Sequence, residues 1–340
     1  MFGNQWFKKE APLFTGLHFG FGASSGGGSI PTPFSATGGE VAAGVTPGDG
    51  YTYHYFKSNG SLVVNPAYSV PGPGINILVI GGGGHGGRRS GGGGGAGGVA
   101  DATNTPIPTA TAGASIPIIV GAGGPAPNEG TTSGNQASDS LFAASTDPYY
   151  ILGKAGGDGG YGHGGPGGSG GGAQYNNSGG PANQPTANPG EPWIANYGSN
   201  GSQGEGPPDH NSGAGGGAGG AAGNGGPGNR GTAGASQPLP AWSVPLWMPA
   251  PDPYRPSINP LPGTNFGGGG GAGSYPTNRP TNMPSSASQG GGGLGGPHTD
   301  GNGSPGIDGL GGGAGGGAGS NPGPAGGAGG AGIVVIRYPT

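Results

Sequence analysis

Apolar positions in this chain come in short blocks separated by long polar or glycine-rich stretches. The blocks are Tyr51–Phe56, Leu62-Val63-Val64, Ile75–Ile80, Ile116–Val120, Ser140-Leu141-Phe142, Tyr149–Leu152 and Ile333–Tyr338. Each has the length of a β-strand, and aromatic and β-branched residues dominate several of them. Tyr51–Phe56 and Ser61–Val64 flank Lys57-Ser58-Asn59-Gly60, and an Asn-Gly step between such blocks predicts a β-hairpin. The near-continuous apolar run Ile75–Ile80 predicts a strand buried on both faces.

Several blocks run straight into glycine. Glycine-rich runs occupy 81–98, 156–172, 213–228, 267–273, 290–296 and 309–332, and the last leads directly into Ile333-Val334-Val335-Ile336. Such runs have two physical states. One is a flexible coil, because glycine loses more backbone freedom on ordering than any other residue. The other is a bundle of polyproline-II-like helices with three residues per turn, in which bare backbones approach closely enough to pair N–H with C=O. Ordering costs about 1–2 kcal/mol per residue. A lateral hydrogen bond returns about 1 kcal/mol net, so the bundle needs many members and apolar clamps at their ends. The strands sit where those clamps are required. The expected fold is therefore all-β with essentially no α-helix, and the strand-to-glycine junctions favour polyglycine-II over coil for the runs between the strands.

Composition narrows the class. With 96 glycines and 38 prolines in 340 residues, the chain is far from an ordinary globular composition. Segments such as GGGAGGGAGS lack a strict G-X-Y register, which excludes collagen. Charged residues are 7% and the net charge is −4, so self-repulsion does not hold the chain open and no basic footprint invites nucleic acid. There is no cysteine, hence no disulfide or thiolate chemistry. The opening MFGNQWFKKE has no apolar core of signal-peptide length, and no run approaches a membrane span. Synthesis in a cytoplasm without membrane insertion is the expectation.

Signatures of catalysis are thin. G-x-G-x-x-G matches are uninformative in so glycine-rich a chain, and G-x-x-x-x-G-K-[ST] is absent because Ala155 follows Lys154. His85, His163 and His298 lie in glycine-rich or proline-rich turns without the helical spacing of metal ligands. Asp300-Gly301-Asn302-Gly303-Ser304 begins like a calcium loop but continues with Pro305 and no closing glutamate, and reads as a turn. The carboxylates Asp139, Asp158, Asp209, Asp252, Asp300 and Asp308 are scattered. The expectation is no enzyme, no cofactor and no metal.

Three regions organise the chain. Residues 1–22 hold Phe2, Trp6, Phe7, Lys8, Lys9 and Phe14, either a tail docking on its own domain or an anchor into a partner. Residues 23–49 are Gly/Ser/Pro-rich and read as a linker. Residues 50–340 form the glycine-rich domain, with inserts at 174–202 and 236–266. The inserts carry Tyr175, Trp193, Tyr197, Trp242, Trp247, Tyr254 and Arg255, rigid aromatic faces and one cation suited to binding a saccharide or a protein loop, or else to covering the flank of the bundle.

The segments YTYHYFKSNGSLVV, INILVIGGGGHGG, GGGGAGGVA, IPIIVGAGG, SLFAA and GGAGIVVIRY, in that order, resemble the glycine-rich domain of phage tail-fibre and adhesin proteins, especially those of marine phages. The opening MFGNQWFKKE is similar to the amino termini of marine phage virion proteins. In architecture the chain is similar to the tail-tip adhesins of T-even phages and to the glycine-rich region of anaplastic lymphoma kinase. That resemblance implies an all-β plus polyglycine-II fold, with β-sandwich-like strands framing a bundle of packed glycine-rich helices whose intervening loops contact a bacterial receptor. It implies a virion protein on the particle exterior: a tail fibre or adhesin, joined to other virion proteins through its N-terminus. Its partner would be a host-surface glycan or outer-membrane protein, and a homo-oligomer is expected, with a trimer favoured. The competing expectations are a capsid decoration or other repeating structural subunit, and a fibre-borne depolymerase.

Overall fold

The computed structural model describes residues 31–43, 50–69, 74–107, 111–127, 137–207, 210–226, 230–242, 265–274, 290–297, 301–319 and 324–340. The described residues form an all-β protein with no α-helix and a short 3-10 turn at Gln184–Thr186. The strands are β1 (Ala36–Thr37), β2 (Glu40–Ala43), β3 (Tyr51–Phe56), β4 (Gly60–Val64), β5 (Ile75–Ile80), β6 (Val99–Thr105), β7 (Ser115–Ile119), β8 (Ser140–Phe142), β9 (Ile151–Gly153), β10 (Ile194–Tyr197), β11 (Gln237–Pro238), β12 (Asn265–Phe266) and β13 (Ile333–Pro339). A five-stranded sheet runs β1-β4-β7-β8-β9 and a six-stranded sheet runs β10-β6-β5-β13-β3-β2, every pair antiparallel.

Strand β5 is buried on both faces, as its apolar run requires, and it separates two cores. Ile75, Ile77 and Val79 join Leu62, Val64, Ile116, Ile118, Phe142 and Ile151 of the five-stranded sheet. Leu78 and Ile80 face the opposite core with Tyr53, Tyr55, Trp242, Phe266, Leu310 and Val335. The period-two geometry of a strand sends alternate residues to the two sides.

Two expectations from sequence are corrected. β3 and β4 do not pair as a hairpin: β3 pairs with β13 and β2, whereas β4 pairs with β1 and β7. The Asn-Gly connection is a corner between sheets, where the Asn59 carboxamide oxygen accepts a hydrogen bond from the N–H of Val120 (2.9 Å). Part of the expected linker is built into the fold, since β1 and β2 lie within it and Phe34 is buried against Tyr68 and Tyr338. Residues 1–22, and with them the candidate anchor Phe2, Trp6, Phe7, Lys8, Lys9 and Phe14, lie outside the described residues.

Outside the sheets the glycine runs bond to one another with a three-residue repeat. Along 91–98, residues Gly91, Gly94 and Gly97 donate to Gly317, Ala314 and Gly311; Gly92, Gly95 and Gly98 donate to Gly160, Gly157 and Lys154; Gly93 and Ala96 donate to Gly213 and Gly216. The carbonyls of the same run accept from three further segments: from Gly87, Gly84 and Gly81, from Gly172 and Ser169, and from Gly273 and Gly270. Residues 91–98 are thus surrounded by six backbone neighbours, and each N–H is directed a third of a turn from the last.

Glycine is needed here for closeness rather than for an unusual dihedral. None of Gly91–Gly95 has a positive φ. A Cβ on Gly94 would stand 2.2 Å from the carbonyl oxygen of Gly84, one on Gly270 would stand 1.9 Å from that of Ala314, and one on Gly83 would stand 2.1 Å from that of Gly312. Where a residue with a side chain does enter a peripheral run, the side chain can take the place of a backbone acceptor. Ala325 and Ala331 donate to Asn302 Oδ1 (3.0 Å) and Asp308 Oδ1 (2.7 Å), two helical turns apart in a three-residue repeat. The segment around Asn302, expected as a turn, is therefore a member of the bundle: Gly303 donates to Ala325, and Gly315 donates to Ser304.

Candidate recognition tip

The strands fix the direction of the glycine runs. β5 sends residues 81–87 away from the sheets, and residues 91–98 return antiparallel to them into β6, with Gly81, Gly84 and Gly87 donating to Gly98, Gly95 and Gly92. Residues 154–160 leave from β9 antiparallel to 91–98, and 324–332 return antiparallel to 81–87 into β13. Outgoing and returning runs therefore alternate. Their outer connections, at 88–90, 161–163, 174–178, 203–207 and 210–211, lie at the ends of the runs remote from the sheets.

These connections interlock. Arg89 places its guanidinium carbon 5.9 Å from the centre of the Tyr161 ring. Gln174 donates from Nε2 to the carbonyl of Arg89, and its own N–H donates to Gly162. Tyr175 and His210 meet edge to face with centroids 5.1 Å apart, and the N–H of Ser178 donates to Nδ1 of His163 (3.3 Å). Beneath them Ser90 donates to the carbonyl of Ser274 (2.9 Å), and Ser212 donates to the carbonyl of Ser90.

Four non-glycine residues of this tip lie in the left-handed region: Arg89 (φ 49°), Ser90 (φ 58°), Tyr175 (φ 52°) and His210 (φ 46°). Such dihedrals are uncommon for residues with side chains and cost of order 1 kcal/mol or more. A chain with 96 glycines nonetheless places arginine, serine, tyrosine and histidine there. The side chains themselves are what these positions supply.

The structure divides the residues singled out from sequence. Tyr175 belongs to the tip and is half-buried. Trp193 packs against the core between the two sheets, and Tyr197 lies in edge strand β10 opposite Val99, against the second core. Trp242 is 2% exposed, which takes it out of the accessible aromatic set: its Nε1 donates to Asp101 Oδ1 (2.9 Å), and Arg337 lies 4.7 Å from its ring and 4.8 Å from that of Tyr51. Burial raises the Asp101 pKa, opposed by the Trp242 hydrogen bond and the Arg337 charge. Trp247, Tyr254 and Arg255 lie outside the described residues. Arg89, Tyr161 and His210 were missed because no motif marks them, and His163 was weighed only as a metal ligand. The available signal was positional: Arg89, Tyr161 and His163 interrupt glycine runs, and His210 precedes one.

Insert 174–202 is woven into the body. Asn188 and Gln184 both donate to the carbonyl of Leu152 and to Asn196 Oδ1, tying the insert to β9 and β10. His85 and Asp158 form a buried pair one turn below the tip, Nε2 to Oδ2 3.5 Å. Among the described residues no group of three or more His, Cys, Asp or Glu is placed to hold a metal ion; His298 and Asp300 lie outside them. No helix of the described residues is long and apolar enough to cross a membrane.

No curated protein and no solved structure matches the chain. A family defined as a glycine-rich domain matches residues 57–339, from the corner after β3 to the last residue of β13. With that match covering most of the chain, from β4 to β13, the chain belongs to the glycine-rich domain family.

Proposed function

We propose that this chain is a virion host-attachment protein, a tail fibre or adhesin, whose glycine runs form a polyglycine-II bundle that presents the tip connections to a cell-surface receptor. The observation that carries the reading is the alternation of outgoing and returning runs, which brings segments distant in sequence, 88–90, 161–163, 174–178, 203–207 and 210–211, to one end. A lattice of backbone hydrogen bonds is a rigid mount, and rigid mounts carrying variable turns are how binding sites are commonly built. The resemblance of the chain to phage adhesins supports the same assignment. On this reading the N-terminal segment joins the particle, the sheets form the base, and the protein acts by binding rather than by catalysis.

The test is binding of the labelled full chain to a panel of bacterial isolates. Tyr161→Ala combined with Tyr175→Ala is expected to abolish binding, with circular dichroism unchanged, while Lys57→Ala on the base leaves it intact. Binding by the double variant equal to that of the parent would remove recognition from the tip. Imaging that finds the chain in many copies over a capsid, with the tip buried between subunits, would replace the reading with a decoration role.

A further inference from the structure

The chemistry of the tip narrows the receptor. Resting on the attachment reading above, we infer that the tip binds an acidic glycan, with Arg89 holding a carboxylate or phosphate group and Tyr161 stacking on the adjoining sugar ring.

Two observations point there together. Arg88 and Arg89 are adjacent cations in a chain of net charge −4 that holds only ten lysines and arginines. The second is the ring of Tyr161, which at 44% exposure is the most exposed large aromatic or aliphatic side chain of the described residues. Arg89 lies over this ring, within the range of a cation–π contact. A guanidinium held by an aromatic ring loses less freedom on binding, and its planar fork matches a carboxylate or a phosphate through paired N–H donors.

The rest of the patch fits a saccharide better than a protein loop. Exposed Asn176 and exposed His163 offer donors and acceptors for hydroxyl groups, and Tyr161 offers the flat face that the C–H side of a pyranose covers. Protein interfaces are built around a desolvated apolar centre. The tip lacks one among its described residues: the exposed aliphatic side chains, Val63 and Ile119, lie instead on the five-stranded sheet. Among the described residues, two carboxylates near the patch are engaged within the fold. Asp158 is buried one turn below against His85, and Glu205 accepts from Asn211 Nδ2 (3.2 Å).

Interferometry with the full chain tests the inference on three immobilised probes: polygalacturonate for carboxylate, phosphorylated lipopolysaccharide core for phosphate, and dextran as a neutral control. Binding to at least one acidic probe and none to dextran is expected, weakening about tenfold or more between about 0.05 M and about 0.5 M NaCl as screening sets in. Tyr161→Ala and Arg89→Ala should each weaken binding about tenfold, a difference of about 1.4 kcal/mol. Arg89→Lys separates a paired fork from mere charge and should fall nearly as far as Arg89→Ala, while Lys57→Ala should bind as the parent does. Absence of binding to both acidic probes overturns the inference, as does retention by Arg89→Ala. The isolate assay separates this failure from failure of the attachment reading. Tip-dependent cell binding that survives Arg89→Ala and is destroyed by protease treatment of the cells would keep attachment and assign the receptor to protein. Cell binding indifferent to every tip variant would remove both.

Discussion

At the scale of single residues, one atom decides most of the architecture. The missing Cβ of Gly94 lets its backbone lie beside that of Gly84, where an alanine methyl would sit 2.2 Å from one carbonyl oxygen and 2.7 Å from that of His85. Both obstacles are backbone, so relief requires runs to separate and forfeit lateral bonds, each worth about 1 kcal/mol. Overpacking alone costs about 1–3 kcal/mol. Gly94→Ala is therefore expected to destabilise by about 3 kcal/mol or more, read as a fall in the urea midpoint. Gly162 at the tip has nothing within 4 Å of its would-be methyl, and Gly162→Ala should be neutral or stabilising by about 0.4–1 kcal/mol through the unfolded chain. Equal effects at the two sites would contradict the packed arrangement. The sequence makes the glycines conspicuous but does not distinguish these two. Both lie in glycine-rich runs, Gly162 between Tyr161 and His163, and the neighbouring run, far away in sequence in some cases, tells one role from the other.

Among elements, the legible ones were those whose side chains announce their surroundings. β5 and β13 were readable from uninterrupted apolar residues, and β7 from Ile116 and Ile118 facing inward with Pro117 between. β6, with the sequence VADATNT, carries little such signal and is a strand because it lies between β5 and β10. β1 and β2 were hidden for the same reason, being held by contacts rather than by pattern. His54 is one of those contacts: it lies in β3, with Nδ1 2.7 Å from the carbonyl of Gly38 between β1 and β2, and Nε2 3.0 Å from the hydroxyl of Tyr338 in β13. With Nδ1 donating to Gly38, Nε2 of the neutral ring is the acceptor for the Tyr338 hydroxyl. Burial lowers the His54 pKa below 6.5, partly offset by the bond to Gly38. The folded chain then binds fewer protons than the unfolded chain as pH falls through 6.5, and stability declines in that direction. Denaturation at pH 7.5 and 5.5 should show this loss in the parent and a smaller one in His54→Gln. Asp101, whose pKa is raised by burial, contributes the opposite slope in both proteins, so the difference between them isolates His54. An identical pH dependence would contradict this assignment.

For the molecule as a whole, two β-sheets clamp the ends of glycine runs held together mainly by backbone hydrogen bonds. The all-β class and the strand-to-glycine junctions were legible, because Ile80-Gly81, Val120-Gly121 and Gly332-Ile333 are visible as abrupt changes of residue type. The location of the candidate site was not. Large aromatic residues drew attention to Trp193, Tyr197 and Trp242, yet these side chains pack against the two cores, as large apolar surfaces generally do. The tip residues became recognisable through the direction of each run, a property of chain topology that no local pattern encodes. The central claim is that the glycine runs are an ordered core and not a coil, and amide hydrogen exchange on the full chain tests it most directly. The N–H groups of Gly92, Gly94, Gly95 and Gly97 are predicted to be protected to the same degree as those of β5 and β13; exchange of these glycines at random-coil rates while the strands stay protected would contradict it.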